Sequence, residues 1–152
     1  MKTNMARTIL MSSFGIVLIL AAHQAVSGSK NYGNVTVSEL VSVYDGDTFK
    51  VTINAWPSII GKEIGIRVDG VDTPEIRGKC LREKELARAA KRYTENMLRK
   101  AEVVELRDLG RGKYFRIVAD VYADGNSLGK GLIGNGHAVA YDGGRKTKDW
   151  CK

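Results

Sequence analysis

Ile66-Arg67-Val68-Asp69-Gly70-Val71-Asp72-Thr73-Pro74-Glu75-Ile76-Arg77 is the stretch that decides the reading of this chain. Its first half alternates, with Ile64, Ile66 and Val68 on one side and Arg67 and Asp69 on the other, which is the period of a half-buried strand. Pro74 disfavours helix at Thr73 and removes a backbone donor, so Asp72 to Glu75 reads as a fixed turn rather than more strand. An arginine and two carboxylates, Arg67, Asp72 and Glu75, thus end up at one strand end. Asp45-Gly46-Asp47-Thr48 precedes them and Arg116 follows them.

Working outward, Val35 to Tyr44 and Thr48 to Ile53 read as two strands joined by the Asp-Gly reversal. Asn54 to Gly61 reads as an apolar loop, with Trp56, Ile59 and Ile60 expected to cover one end of the core and an exposed contact patch as the alternative. Glu63 to Val71 is the third strand. Leu86, Ala90, Tyr93 and Met97 mark the buried stripe of an amphipathic helix over residues 81–100. Glu102 to Leu109 and Phe115 to Ala123 are the fourth and fifth strands, separated by the basic Gly110-Arg111-Gly112-Lys113 loop. Ser127 to Asn135 reads as a short helix weakened by three glycines, at about 1 kcal/mol each relative to alanine, and His137 to Tyr141 as a short strand. The order predicts an α+β fold: a compact antiparallel five-stranded barrel of the oligonucleotide-binding (OB-fold) type, with one main amphipathic helix and a short second helix outside.

The chain has 152 residues and a formal charge of +7, with 43% hydrophobic and 27% charged side chains, which bounds it to one globular domain and excludes a fibrous or disordered class. Lys2 and Arg7 precede an apolar run from Ile9 to Ala22 and then Ala25-Val26-Ser27, the pattern of a secretory signal over residues 1–27 cut after Ser27 or Gly28, with an uncleaved anchor as the alternative. The run is short of the roughly 20 residues of a membrane span. The expected division is residues 1–27 signal, 28–34 polar lead and 35–152 folded domain. Removing residues 1–27 leaves the charge at +5, so the exported protein stays basic and is drawn to polyanions. Secretion or a bacterial periplasmic location, and no stable membrane association after signal removal, are the matching expectations. Cys80 and Cys151 are expected to pair in an oxidising compartment. With His137 the one histidine beyond the signal, a zinc site is not expected.

Phosphodiester hydrolysis requires a neutralised nonbridging oxygen and an activated water. Asp45, Asp47 and Asp72 are hard oxygen donors suited to calcium, Glu75 is placed to act as a base, and Arg67 and Arg116 offer planar forks to a phosphate. The residue pattern therefore points to a phosphodiesterase.

Asp45-Gly46-Asp47-Thr48, Arg67, Asp72-Thr73-Pro74-Glu75 and Lys113-Tyr114-Phe115-Arg116, with Tyr122-Ala123-Asp124-Gly125 and Gly136-His137-Ala138 beyond them, closely resemble the motifs of the staphylococcal nuclease (thermonuclease) family. The resemblance implies a calcium-dependent endonuclease that cuts single-stranded or loosened DNA and RNA, leaving 3′-phosphate ends. It implies Asp47, Asp72 and the Thr73 carbonyl as calcium ligands, Asp45 as an outer ligand through water, Glu75 as base, Arg67 and Arg116 as phosphate clamps, and Lys113, Tyr114 and Tyr141 as substrate contacts. A monomer is expected. This chain departs from the family in a longer loop between strands two and three and in Phe115, which stands in place of a glycine. It also stops soon after Tyr141, where the Cys80–Cys151 bridge is expected to take over the anchoring. A catalytically inactive nucleic-acid-binding barrel is the alternative function, and a cell-envelope protein with structural calcium a third.

Overall fold

The computed structural model describes residues 31–152, so the expected signal and the start of the polar lead lie outside the described residues. Among the described residues nine strands and three helices follow in the order β1 (Val35–Thr36), β2 (Glu39–Val43), β3 (Thr48–Thr52), α1 (Ser58–Gly61), β4 (Ile64–Val68), β5 (Val71–Asp72), α2 (Leu81–Lys100), β6 (Val104–Arg111), β7 (Ile117–Ala123), β8 (Asn126–Ser127), α3 (Leu128–Gly134) and β9 (Val139–Ala140). The five long strands correspond to the five expected ones, with these corrections: Val35 to Tyr44 divides into β1 and β2, and Glu63 to Val71 stops at Val68. The Asp69-Gly70 turn, with Gly70 at φ 71°, redirects Val71 and Asp72 to pair with β9, so Asp72 is strand rather than turn. Neighbours run β1-β6-β7-β4-β3-β2, and β5 pairs with β9 apart from them.

Closure comes from the first strand. β1 pairs with β6 and β2 with β3, and between them Val37 N donates to Val104 O at 2.9 Å and Ser38 N to Thr52 O at 2.9 Å. One continuous segment thereby passes from one edge of the sheet to the other, and the curled sheet closes as an OB-type barrel. The expectation of a wholly antiparallel barrel is corrected: β4 and β7 run parallel, in register Ile66 to Ile117 and Arg67 to Val118. The reason is topological, since α2 and β6 intervene between them and β7 returns in the direction of β4.

Alternation fills the barrel with Val43, Phe49, Val51, Ile64, Ile66, Val68, Leu106, Ala119 and Val121, all buried. In the 54–61 loop only Trp56 packs against the core, while Ile59 and Ile60 are exposed and Ser58–Gly61 form the one-turn α1. The loop was expected to contribute all three. The helix stripe is also displaced: α2 buries Ala87, Ala90, Thr94 and Leu98, with Tyr93 and Met97 only flanking. Small residues win there because the helix lies close against the Asp45–Asp47 turn, and Thr94 Oγ1 donates to the Gly46 carbonyl. A Cβ on Gly46 would stand 2.7 Å from Ala90 Cβ and 2.9 Å from Thr73 Cγ2, so this turn admits only glycine.

The short α3 is capped by Ser127, whose side chain accepts from Lys130 N at 3.3 Å. Its glycines weaken it locally and serve it tertiarily. A Cβ on Gly131 would stand 2.4 Å from Tyr93 Oη, so the tyrosine of α2 packs against α3 where a glycine leaves it room. Cys80 and Cys151 are joined as a disulfide, which ties the C-terminal tail to the head of α2. Cys80 also caps that helix.

Candidate active site

The β2–β3 turn, the end of β4 and the Asp72–Glu75 segment, which leaves β5 through Pro74, meet at one end of the barrel. Register brings them together: Thr48 lies opposite Arg67 in the β3–β4 ladder, and Val68 N donates to Asp47 O at 2.8 Å. Asp45, Asp47, Asp72 and Thr73 are all buried there. Charged carboxylates are not buried without partners, so where their lone pairs go is the informative question.

Asp47 is the hub. Its Oδ1 accepts from Arg67 Nη1 at 2.5 Å and Thr48 Oγ1 at 2.9 Å, and its Oδ2 from Thr73 N at 3.2 Å and Thr73 Oγ1 at 3.0 Å. Arg67 spends a second arm on the Val71 carbonyl, 3.1 Å away. A carboxylate has about four lone-pair positions, and those of Asp47 are all engaged by the protein. Asp72 is the opposite case: its Oδ1 is buried and receives no hydrogen bond.

What lies beside that oxygen is Lys146, from the C-terminal tail. Its Nζ is 2.6 Å from Asp72 Oδ1, outside hydrogen-bonding angles, and 2.6 Å from Glu75 Oε1 within them. Burial pulls the Lys146 ammonium down, but its contacts with Asp72 and Glu75 outweigh that and raise its pKa. The sequence reading missed this lysine. A signal was present, because a tail pinned at Cys80 must pass the Asp72–Glu75 segment that precedes it.

Asp45 completes the cluster. Burial first, then the charges of Asp47 and Glu75, push its carboxyl from 3.8 to about 7. Between these values the native state keeps a proton that the unfolded chain has released, so Asp45 costs stability as pH rises through this window. In chelator around pH 8, Asp45→Asn is expected to stabilise the protein by about 1–3 kcal/mol, and well below the unfolded carboxylate pKa the two proteins should melt together. Equal melting temperatures at both pH values would remove the argument.

Arg116 joins the same outer face by a different route. β4 alternates, so Gly65 and Arg67 point one way while Ile64, Ile66 and Val68 point into the barrel. The Arg116 stem lies over Gly65, with its Cγ 3.1 Å from where a Cβ would be. Two residues along a strand is about 7 Å, which sets the offset between the two arginines. No ion pair ties Arg116 to the carboxylates among the described residues; its Nε donates to Lys113 O at 3.4 Å.

The turn before it carries Tyr114 and Phe115 at φ 59° each, the left-handed pair of a tight hairpin turn. Neither is a residue that favours this region, and each costs on the order of 1–3 kcal/mol. Both rings are exposed. The bulk of Phe115 thus turns outward, and Gly65 leaves the room that the Arg116 stem occupies. Tyr141 lies beyond β9, with its Oη donating to Gly144 O at 2.7 Å, so it braces the tail.

The buried carboxylates, the arginines on one face and the OB-type barrel define a nuclease or nucleic-acid-binding domain. The chain belongs to the staphylococcal nuclease homologue family, which matches residues 65–150, more than half its length. That span contains Arg67, Asp72, Glu75, Arg116 and Lys146; Asp45 and Asp47 precede it and join the site through the Arg67–Asp47 pair. No curated protein matches the chain. Among the described residues no helix is long and apolar enough to cross a membrane.

Proposed function

We propose that this protein is an exported, calcium-dependent endonuclease that hydrolyses phosphodiester bonds of single-stranded or loosened DNA and RNA and leaves 3′-phosphate ends. The observation that carries this reading is the convergence of Asp45, Asp47, Asp72 and Glu75 with Arg67 at one end of the barrel. A structural turn has no reason to bury three aspartates together, whereas a cation site does.

The donor set is all oxygen and fits calcium: among the described residues Asp72 Oδ1 is buried with only the Lys146 ammonium beside it, and Asp45 accepts only from Asp47 N. Asp47 and the Thr73 carbonyl complete the proposed set, Asp47 by sharing an oxygen already held by Arg67 or Thr73. Bound there, calcium supplies positive charge to the nonbridging phosphate oxygens and makes a nearby water more acidic. Glu75, exposed at the rim, takes the proton from the attacking water. Arg67 has donors left after Asp47 and Val71, and Arg116 after Lys113, so both guanidinium groups can hold the phosphate as charge builds on it. Lys113 and Tyr114 flank that phosphate at the tip of the hairpin, and Tyr141 contacts substrate from the tail.

The test is degradation of single-stranded DNA by the purified protein with calcium and then with chelator, followed by end analysis. Calcium-dependent loss of the substrate with 3′-phosphate ends is the expected result. The second reading, a barrel that binds nucleic acid without cutting it, draws on Lys146, which sits on two of the carboxylates the chemistry needs. Tight binding with no cleavage at saturating calcium would establish that reading instead.

A further inference from the structure

Residues 142–149 cross the mouth of the site as an exposed segment held at both ends. On one side Tyr141 N donates to Gly70 O at 3.0 Å beside the β5–β9 pair. On the other, Cys151 is bonded to Cys80 at the head of α2. Between these anchors Lys146 turns inward, while Lys148 lies over the Trp150 ring. A segment fixed at both ends keeps its lysine near the carboxylates at high effective concentration, on the order of millimolar for a short tether.

We propose that Lys146 is a built-in cation that occupies Asp72 and Glu75 and that a divalent metal must displace, so that the disulfide-pinned strap sets the metal affinity of the site. This rests on reading the carboxylates as a cation site. Two features of the contact make it exchangeable. The approach to Asp72 Oδ1 lies outside hydrogen-bonding angles, so it is held by charge more than by direction. Lysine also ends in a compact ammonium without the two-pronged geometry that locks arginine onto a carboxylate. A divalent ion at the same oxygens has the stronger attraction, and the lysine can then swing to solvent, where its side chain is already partly exposed. The apparent affinity is the intrinsic one scaled by the fraction of molecules whose strap is lifted.

The test is calcium binding measured by equilibrium dialysis at fixed ionic strength, with no nucleic acid present. Lys146→Met is expected to bind calcium roughly tenfold more tightly than the unaltered protein. The double variant Cys80→Ser, Cys151→Ser, which keeps a capping side chain at the head of α2, should shift the same way by a smaller factor. Lys148→Met removes an equal charge two residues along and should change little. In the unaltered protein, calcium should move the side-chain NMR signals of Lys146 to those of a free lysine. Unchanged or weaker binding in Lys146→Met, equal tightening in Lys148→Met, or a Lys146 signal indifferent to calcium would overturn the strap. Absence of calcium binding in every variant would overturn both the strap and the cation site, whereas binding that ignores Lys146 leaves the site standing and removes only the strap.

Discussion

Glu75→Gln is expected to lower kcat on single-stranded DNA by about 10²–10⁴-fold at saturating calcium, the usual worth of a positioned base, while the melting temperature stays near that of the unaltered protein. The expectation follows from where Glu75 sits. Its side chain is about half exposed, at 48%, and its partner is Lys146 on a surface strap, so no buried contact is lost. Glutamine keeps the size and an acceptor for Lys146 and loses the ability to take a proton. If water is activated elsewhere, the variant will turn over at the original rate, and the assignment then fails. A loss confined to KM would point instead to a role in holding substrate.

Asp47→Ala is expected to cost about 3–5 kcal/mol, the scale for breaking a buried charge pair from one side. The Arg67 and Asp47 side chains are 18% and 2% exposed, so alanine strands a largely buried guanidinium. It also leaves Thr73 N, Thr73 Oγ1 and Thr48 Oγ1 without their acceptor. Against a total stability of about 5–15 kcal/mol, the variant should melt on the order of 10–20 °C lower. Thermal unfolding in chelator separates this from any effect of metal. The double variant Asp47→Leu, Arg67→Met should recover part of the loss, because it removes both charges and restores apolar volume. A single variant that melts with the parent would mean that Asp47 is not the hub, and a double variant worse than the single would mean that packing, rather than the stranded charge, sets the cost.

Much of the site was legible before any coordinates. Alternation placed Arg67 on the opposite face from Ile64 and Ile66, and Pro74 marked where the strand stops, although one residue later than expected: Asp72, in β5, still pairs with Val139, and the chain turns only after Glu75. The Asp45-Gly46-Asp47 corner was read as a hairpin turn carrying two carboxylates, which it is. These were readable because each depends on neighbours within a few residues: backbone sterics at proline, the two-residue period of a strand, the small set of residues that tolerate a tight reversal.

Other features had no local trace. The burial of Thr94 in place of Tyr93 on α2 depends on the Gly46 carbonyl 48 positions away in the chain. The exposed Ile59 and Ile60 read as core residues, since apolar character says nothing about which core is within reach.

By itself, then, the sequence determined the five strands, the long helix, the turn that carries Asp45 and Asp47 and the family pattern around Arg67 and Asp72. The tertiary structure alone decided that β4 and β7 run parallel, that Asp47 spends its lone pairs on Arg67, Thr48 and Thr73, and that Lys146 stands on Asp72 and Glu75. The physical reason is one of range. Backbone preference and hydrophobic period are properties of adjacent residues, whereas the partner of a buried charge is chosen by which distant segments the closed barrel and the Cys80–Cys151 bond bring within 3 Å or so of it.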